Sequence, residues 1–258
     1  MSWSANHFKE LDFYTVMALA VEQRLEVLAL QECESLHEKF EEFPVSGGFK
    51  LLPPVHRNGV GMLLSNRIYS CMVDHFVYRE ACAVLCDLGG TKVVLLNWHL
   101  PDHKTELDRG VSLEQILAKV SCALDKWWVA SPWAHIAVMG DFNTVHPGDS
   151  ALCSEALSSQ AFSRYEFRAE LIQKFFDKHF ISWFPISSPS SPAFASEFKF
   201  THQHYNSSIC RIIDYICCGT TAGSPCSCVY EVKPELGFSS DHFPLCGTLS
   251  WRLVQTKK

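Results

Sequence analysis

The run from Val138 to Ser150, VMGDFNTVHPGDS, does most to constrain the fold. A short apolar stretch ends on a glycine, and an acid and an amide follow at once, Asp141 and Asn143. Such a stretch reads as a buried strand that carries oxygen-rich groups to the start of a loop. Further segments repeat the arrangement along the chain: LALQECE with Gln31 and Glu32, LLNWHL with Asn97 and His99, RIIDYI with Asp214 and Tyr215, and SSDHFPL with Ser240, Asp241 and His242. All but the last close apolar or β-branched runs; the last stands in a loop ahead of one. Each delivers a carboxylate, an amide or an imidazole, the groups that hold hard cations and phosphate oxygens.

Between these segments the hydrophobic pattern alternates between strand and helix. Phe8, Leu11, Tyr14, Ala18 and Val21 recur with helical spacing and predict a first helix over Asn6 to Arg24. Strands are expected at Glu26–Leu30, after the turn of NGVGMLLS (Asn58–Ser65), at Ala81–Asp87 and Lys92–Trp98 around the turn LGGT, and at His135–Gly140. Leu113, Ile116, Leu117, Val120 and Leu124 mark one face of another helix. Ser154 to Phe180 carries further helical segments, whose Phe162, Tyr165, Phe167, Phe175, Phe176 and Phe180 read as core rather than as a base-stacking platform. Phe184 to Ala195, rich in Ser and Pro, reads as a loop. Strands resume at Phe198–Thr201, Arg211–Cys217, Cys228–Lys233 and Leu245–Leu253. No repeat and no linker interrupts the chain, so residues 1–258 are expected to form one α/β (α+β) domain of two packed sheets flanked by helices.

Composition narrows the function. With 258 residues, 47% of them hydrophobic, the chain can bury a large core. A net charge of −6 gives no global basic field, which weighs against processive DNA binding but leaves a nuclease open, because bound divalent cations offset an acidic site. The start, MSWSANHFKE, has neither the basic end nor the apolar core of a secretory leader, and no apolar run is long enough to span a bilayer. The expected location is cytosol or nucleus, with the 12 cysteines as reduced thiols. Cys217, Cys218, Cys226 and Cys228 lack the paired spacing of a zinc site and read as thiols too.

Taken together and in this order, the polar segments resemble the endonuclease/exonuclease/phosphatase superfamily, over roughly Ser2 to Trp251. The resemblance implies a four-layer αββα sandwich with the site at one edge of the sheets. It implies Glu32 as the anchor for Mg²⁺ or Mn²⁺, with Asp241 in the metal shell. His242 is implied as water-activating base or charge stabiliser, oriented by Asp214. Asp141 either orients the nucleophilic water or protonates the leaving oxygen. Asn143 and His99 bind the phosphate, His99 as a donor or a positive charge, and Asn97 supports them.

At the amino terminus the chain departs from the pattern. The family opens with a strand carrying a Trp-Asn or similar pair, whereas here Ser4 follows Trp3 and Asn6 stands two residues on. Either Asn6 serves instead, or Ser4 makes a poorer ligand, or the native start is lost; the preceding strand is almost absent. Phe200-Thr201 ahead of IDYI, and Asn97-Trp98-His99-Leu100, are similar to the deadenylase, nocturnin and Angel-like branch. The expected activity is therefore a metal-dependent phosphodiesterase acting on RNA or a nucleotide from a 3′ end. A DNA endonuclease of the repair or retroelement type is the alternative, and a catalytically impaired binding module of the same fold is another. Phosphoinositide phosphatase and sphingomyelinase activities have no specific support.

Overall fold

A computed structural model describes residues 1–4, 16–18, 20–33, 48–55, 59–152, 159–183, 201–203, 210–221, 226–233, 240–242 and 244–251. Two six-stranded sheets dominate. The first contains β1 (Ser2–Ser4), β2 (Val27–Gln31), β3 (Phe49–Leu52), β4 (Gly61–Ser65), β13 (Cys226–Val232) and β14 (Leu245–Trp251), in the order β13-β14-β1-β2-β4-β3. The second contains β5 (Met72–Val77), β6 (Ala81–Leu88), β7 (Thr91–His99), β8 (His135–Asp141), β9 (Ile181–Ser182) and β12 (Asp214–Thr220), in the order β5-β6-β7-β8-β12-β9. β10 (His202–Gln203) and β11 (Cys210–Arg211) form a separate ribbon. Both sheets are mixed: β1/β2 and β7/β8 run parallel, and the other strand pairs are antiparallel.

Burial explains the layering. Side chains alternate faces along a strand, and in β2 both faces are apolar. Ala29 joins the core between the sheets, whereas Leu28 and Leu30 pack outward against Val16, Met17 and Ala20 of the first helix. Met62 and Leu64 of β4 likewise face inward while Leu63 faces that helix. On the far side, the helix Leu113–Ala130 starts with a reciprocal capping box between Ser112 and Gln115. It buries Leu113, Ile116, Leu117, Val120, Leu124 and Trp127. The helix Ser159–Lys178 adds Ala169, Ile172, Phe175 and Phe176 to the same core. Each such aliphatic side chain contributes roughly 2 kcal/mol on burial. The layers are thus helix, sheet, sheet, helices, the αββα order.

Several expectations are corrected. The first strand is present, and it is central, paired with β2 on one side and β14 on the other. The expected strand Arg211–Cys217 is broken, with Ile212 and Ile213 between β11 and β12. Phe175 and Phe176 are core, but Phe167 and Phe180 are 58% and 61% exposed, so helical spacing overestimated the buried face. β3, β5 and the helix His103–Arg109 were not apparent in the pattern: β3 is four residues long, β5 (MVDHFV) carries Asp74 and His75 at its centre and lies at a sheet edge, and the helix buries no residue. Residues 184–200, with the expected Ser/Pro loop, and most of the expected first helix, with Asn6, lie outside the described residues. Among the described residues no helix is long and apolar enough to cross a membrane.

Candidate active site

Three adjacent strands of the second sheet set the floor of the site. In the parallel pair β7/β8, His99 is opposite Asp141, and in the antiparallel pair β8/β12, Asp141 is opposite Asp214. Strand register alone therefore puts an imidazole and two carboxylates in a row. Gly140 is required just before Asp141, because its φ is +137° and an added Cβ would lie 1.9 Å from the carbonyl oxygen of Trp98. Phe142 then plugs the chain into an aromatic cage, edge-on to Trp98 and Tyr215 with ring centroids 5.0 Å away in each case. Its amide donates to the carbonyl of Ile213 at 2.8 Å. With Phe142 inside, Asp141 and Asn143 are left facing the cleft.

The motifs acquire physical reasons. Thr201 Oγ1 accepts the backbone N–H groups of Ile213 and Asp214, each at 3.0 Å, and so holds the start of β12; this is what couples FT to IDY. Ser240 Oγ donates to the carbonyl of Ser4 at 2.7 Å and accepts the amide of His242 at 3.0 Å. The serine of SDH thus ties the histidine to β1. His242 Nδ1 bonds Asp214 at 3.0 and 3.2 Å, and its Nε2 lies 3.8 Å from Asp141. This pairing orients the imidazole, with Nδ1 toward Asp214 and Nε2 toward Asp141.

Asn143 donates from its backbone to Asp141 at 2.7 Å and from its side chain to the carbonyl of Leu100 at 2.8 Å. Its amide also lies 3.3 Å from His99 Nε2. Glu32 and Asn143 both adopt a left-handed backbone, with φ of +52° and +45°. Glu32 is 32% exposed, and its carboxylate approaches His99 Nε2 at 3.8 Å. Together with His242 these groups line a cleft of about 250 Å³.

Electrostatics separate the roles. Burial pulls the His242 imidazole down, but the charge and hydrogen bond of Asp214, with Asp141 and Asp241, outweigh it and raise it to about 10. Burial first, and then the charge of Asp214, hold the Asp141 carboxyl well above the usual carboxylate range. His99 is lowered, chiefly by burial although Glu32 opposes it, which favours its neutral form. The surroundings thus favour the charged form of His242 and the protonated form of Asp141.

Other expected residues fall elsewhere. Asn97 is fully buried between the sheets: its Nδ2 donates to the carbonyls of Leu30 and Gly61, and its Oδ1 accepts from Gln31 Nε2 at 2.5 Å. Its support is to the joining of the sheets. Asp241 stands beside His202, whose Nε2 is 3.2 Å away. The sequence reading missed His202; its ring packs edge-on against His242 with centroids 4.6 Å apart, and the bridge His202–His242 joins the two backbones. Only its place next to Thr201 could have pointed to it.

The donor set suits a hard divalent cation. Glu32 offers carboxylate oxygens to the cleft. Asp141, Asp214 and His242 place ligand atoms within 4.8 Å of one another, as do His202, Asp241 and His242. Ser4 Oγ is buried without a hydrogen-bond partner among the described residues, next to Gln31 in the register of β1 and β2. Carboxylate oxygens of this kind favour a hard divalent cation.

No known family profile and no curated protein matches the sequence. Solved structures do match. The AP endonuclease LMAP from Leishmania major superposes with a TM-score of 0.72 at 13% identity, over 98% of this chain and 87% of that one. The 3′ phosphatase NExo from Neisseria, bound to a product DNA hairpin, gives a TM-score of 0.68 at 16% identity, over 97% and 98%. The human nocturnin catalytic domain with bound sulfate gives 0.61 at 14% identity, over 97% and 93%. The chain has the endonuclease/exonuclease/phosphatase fold. In this DNase I-like sandwich the clustered groups lie where strands β7, β8 and β12 leave their sheet, at the edge expected for the site.

Proposed function

We propose that the chain is a divalent-metal-dependent phosphodiesterase acting on nucleic acid or a nucleotide. The observation that carries this reading is the buried Asp214–His242 pair facing Asp141 in a cleft that also holds Glu32, His99 and Asn143. Hydrolysis of a phosphodiester requires charge neutralisation at phosphorus, a positioned water and a proton for the leaving oxygen. His242, charged, donates to a phosphoryl oxygen. Asn143 and neutral His99 add donors on the same side. Asp141 orients the water or passes a proton to the leaving oxygen. Glu32 would hold a divalent cation in this cleft, and the cation would supply Lewis-acid neutralisation of the phosphate.

RNA or a nucleotide, cleaved from a 3′ end, is the preferred substrate class. FT ahead of IDYI, NWHL and the acidic balance of the chain support it. DNA 3′-end or abasic-site processing is the second reading, favoured by the likeness in shape to the AP endonuclease and to the DNA-bound 3′ phosphatase. One gel decides between them: 5′-labelled A-tailed RNA beside supercoiled and abasic-site DNA, with Mg²⁺, and with His242→Ala as the blank. A shortening RNA ladder alone establishes the first reading, and DNA cleavage alone the second. EDTA should stop either reaction and Mn²⁺ restore it; full turnover in EDTA would overturn the metal role. No cleavage of either polymer would overturn the nuclease reading.

A further inference from the structure

The cleft extends past the catalytic groups. From His99 and Glu32 its wall continues to Arg79, Glu80 and Arg109. Arg79 and Glu80 form the turn between β5 and β6, and Arg109 ends the helix His103–Arg109. Both guanidinium groups approach one carboxylate oxygen of Glu80, Arg79 Nε at 4.0 Å and Arg109 Nη1 at 3.9 Å. These separations exceed hydrogen-bond length, so one acid offsets part of the charge of two bases without occupying their donors. Arg79 Nε is shut from solvent with no hydrogen-bond partner among the described residues. The other acid of this wall, Asp102, is turned to the helix, where it accepts the Thr105 amide at 2.7 Å.

Two planar donor forks converging on one side of a polar cleft match a tetrahedral oxyanion. We infer that Arg79 and Arg109 form a second phosphate subsite, so that the preferred substrate carries another phosphate next to the one cleaved. The inference rests on the phosphodiesterase reading and adds to it a requirement on substrate charge. The mutual repulsion of the two bases agrees: Arg109 is lowered by burial first and by Arg79 next, and an anion between them would relieve that. Glu80 competes with such an anion for the two guanidinium groups.

The test compares a dinucleoside monophosphate, a trinucleotide with two internal phosphates, and a dinucleotide bearing a terminal phosphate. Wild type should favour the two-phosphate substrates in kcat/KM. In Arg79→Gln and in Arg109→Gln that preference should fall about tenfold, the size expected for a lost charge-assisted bond. Glu80→Gln should strengthen it. The trinucleotide and the terminally phosphorylated dinucleotide distinguish an internal phosphodiester from a terminal phosphate as the natural occupant. A preference that survives both arginine changes, in proteins that unfold at the wild-type temperature, overturns the subsite. Should wild type cleave none of the substrates, the phosphodiesterase reading falls on its own. Calorimetric titration with inorganic pyrophosphate then decides the subsite: binding weakened about tenfold in both variants upholds it, and equal binding overturns it.

Discussion

Asp141 and Asp214 are direct partners across the antiparallel pair β8/β12 and are both almost fully buried. Two carboxylates charged at once in that position would repel each other, which is one reason the Asp141 carboxyl is held up. The imidazolium of His242, 3.0 Å from Asp214 and 3.8 Å from Asp141, is what compensates them. The site is therefore an interdependent set of charges, and changing one member shifts the others.

Replacing Asp214 with Asn should lower the proton affinity of His242 and reduce turnover at least a hundredfold. The sign for stability follows from the raised value: His242 goes from 6.5 in the unfolded chain to about 10 in the fold. Its contribution is present in full below 6.5 and disappears as pH rises through about 10, with a ceiling on the order of 5 kcal/mol. Wild type should therefore lose melting temperature between pH 7 and 10 more steeply than Asp214→Asn, and an NMR titration of His242 should show the same difference. Parallel melting curves would refute the pairing.

For Asp141→Asn, activity and stability should move in opposite directions. The buried carboxyl is held up by burial and by Asp214, so its ionised form weighs against folding as pH rises above the carboxylate range. Removing the charge should raise stability near neutral pH by about 1 kcal/mol while turnover falls a hundredfold or more. Denaturant unfolding and a phosphodiesterase assay on the same sample check both.

How much of this was legible in the sequence depended on where the information lay. Strands with long apolar runs, such as β7 and β8, were apparent within a residue or two, because burial on both faces leaves little polar content. Asp141, Asp214 and His242 stood out through their motifs; register sets the two acids opposite each other, and the contacts of Ser240 bring His242 to them. β5 escaped because Val73, Asp74 and His75 are exposed in succession beside a register shift, which leaves no alternation, and β1 because three residues give no period to read. His202 escaped because its role comes from the approach of β10 to the SDH loop, which no local pattern encodes. Asn97 looked like a site residue because it is two positions from His99, but its side chain points into the space between the sheets.

A further expected outcome lies away from the cleft. His179 is lowered to about 4, mainly by burial and then by Lys178, and its Nε2 lies 2.9 Å from Ser121 Oγ. It folds as neutral imidazole, so its contribution is present above 6.5 and is lost as pH falls through about 4. His179→Gln, which keeps a polar group near Ser121, should recover up to about 3 kcal/mol of the stability that wild type loses between pH 7 and 4. Urea titrations at the two pH values measure it; an equal acid loss in both proteins would refute the assignment.

The left-handed backbone at Glu32 and at Asn143 has a consequence for how this chain can change over time. An ordinary side chain in that conformation costs roughly 1 kcal/mol or more relative to glycine. Selection for robustness alone would replace Glu32 with glycine and gain from it. A glutamate at that bend is therefore not accounted for by folding alone, and a library sorted only for thermal tolerance should exchange it for glycine among its first substitutions.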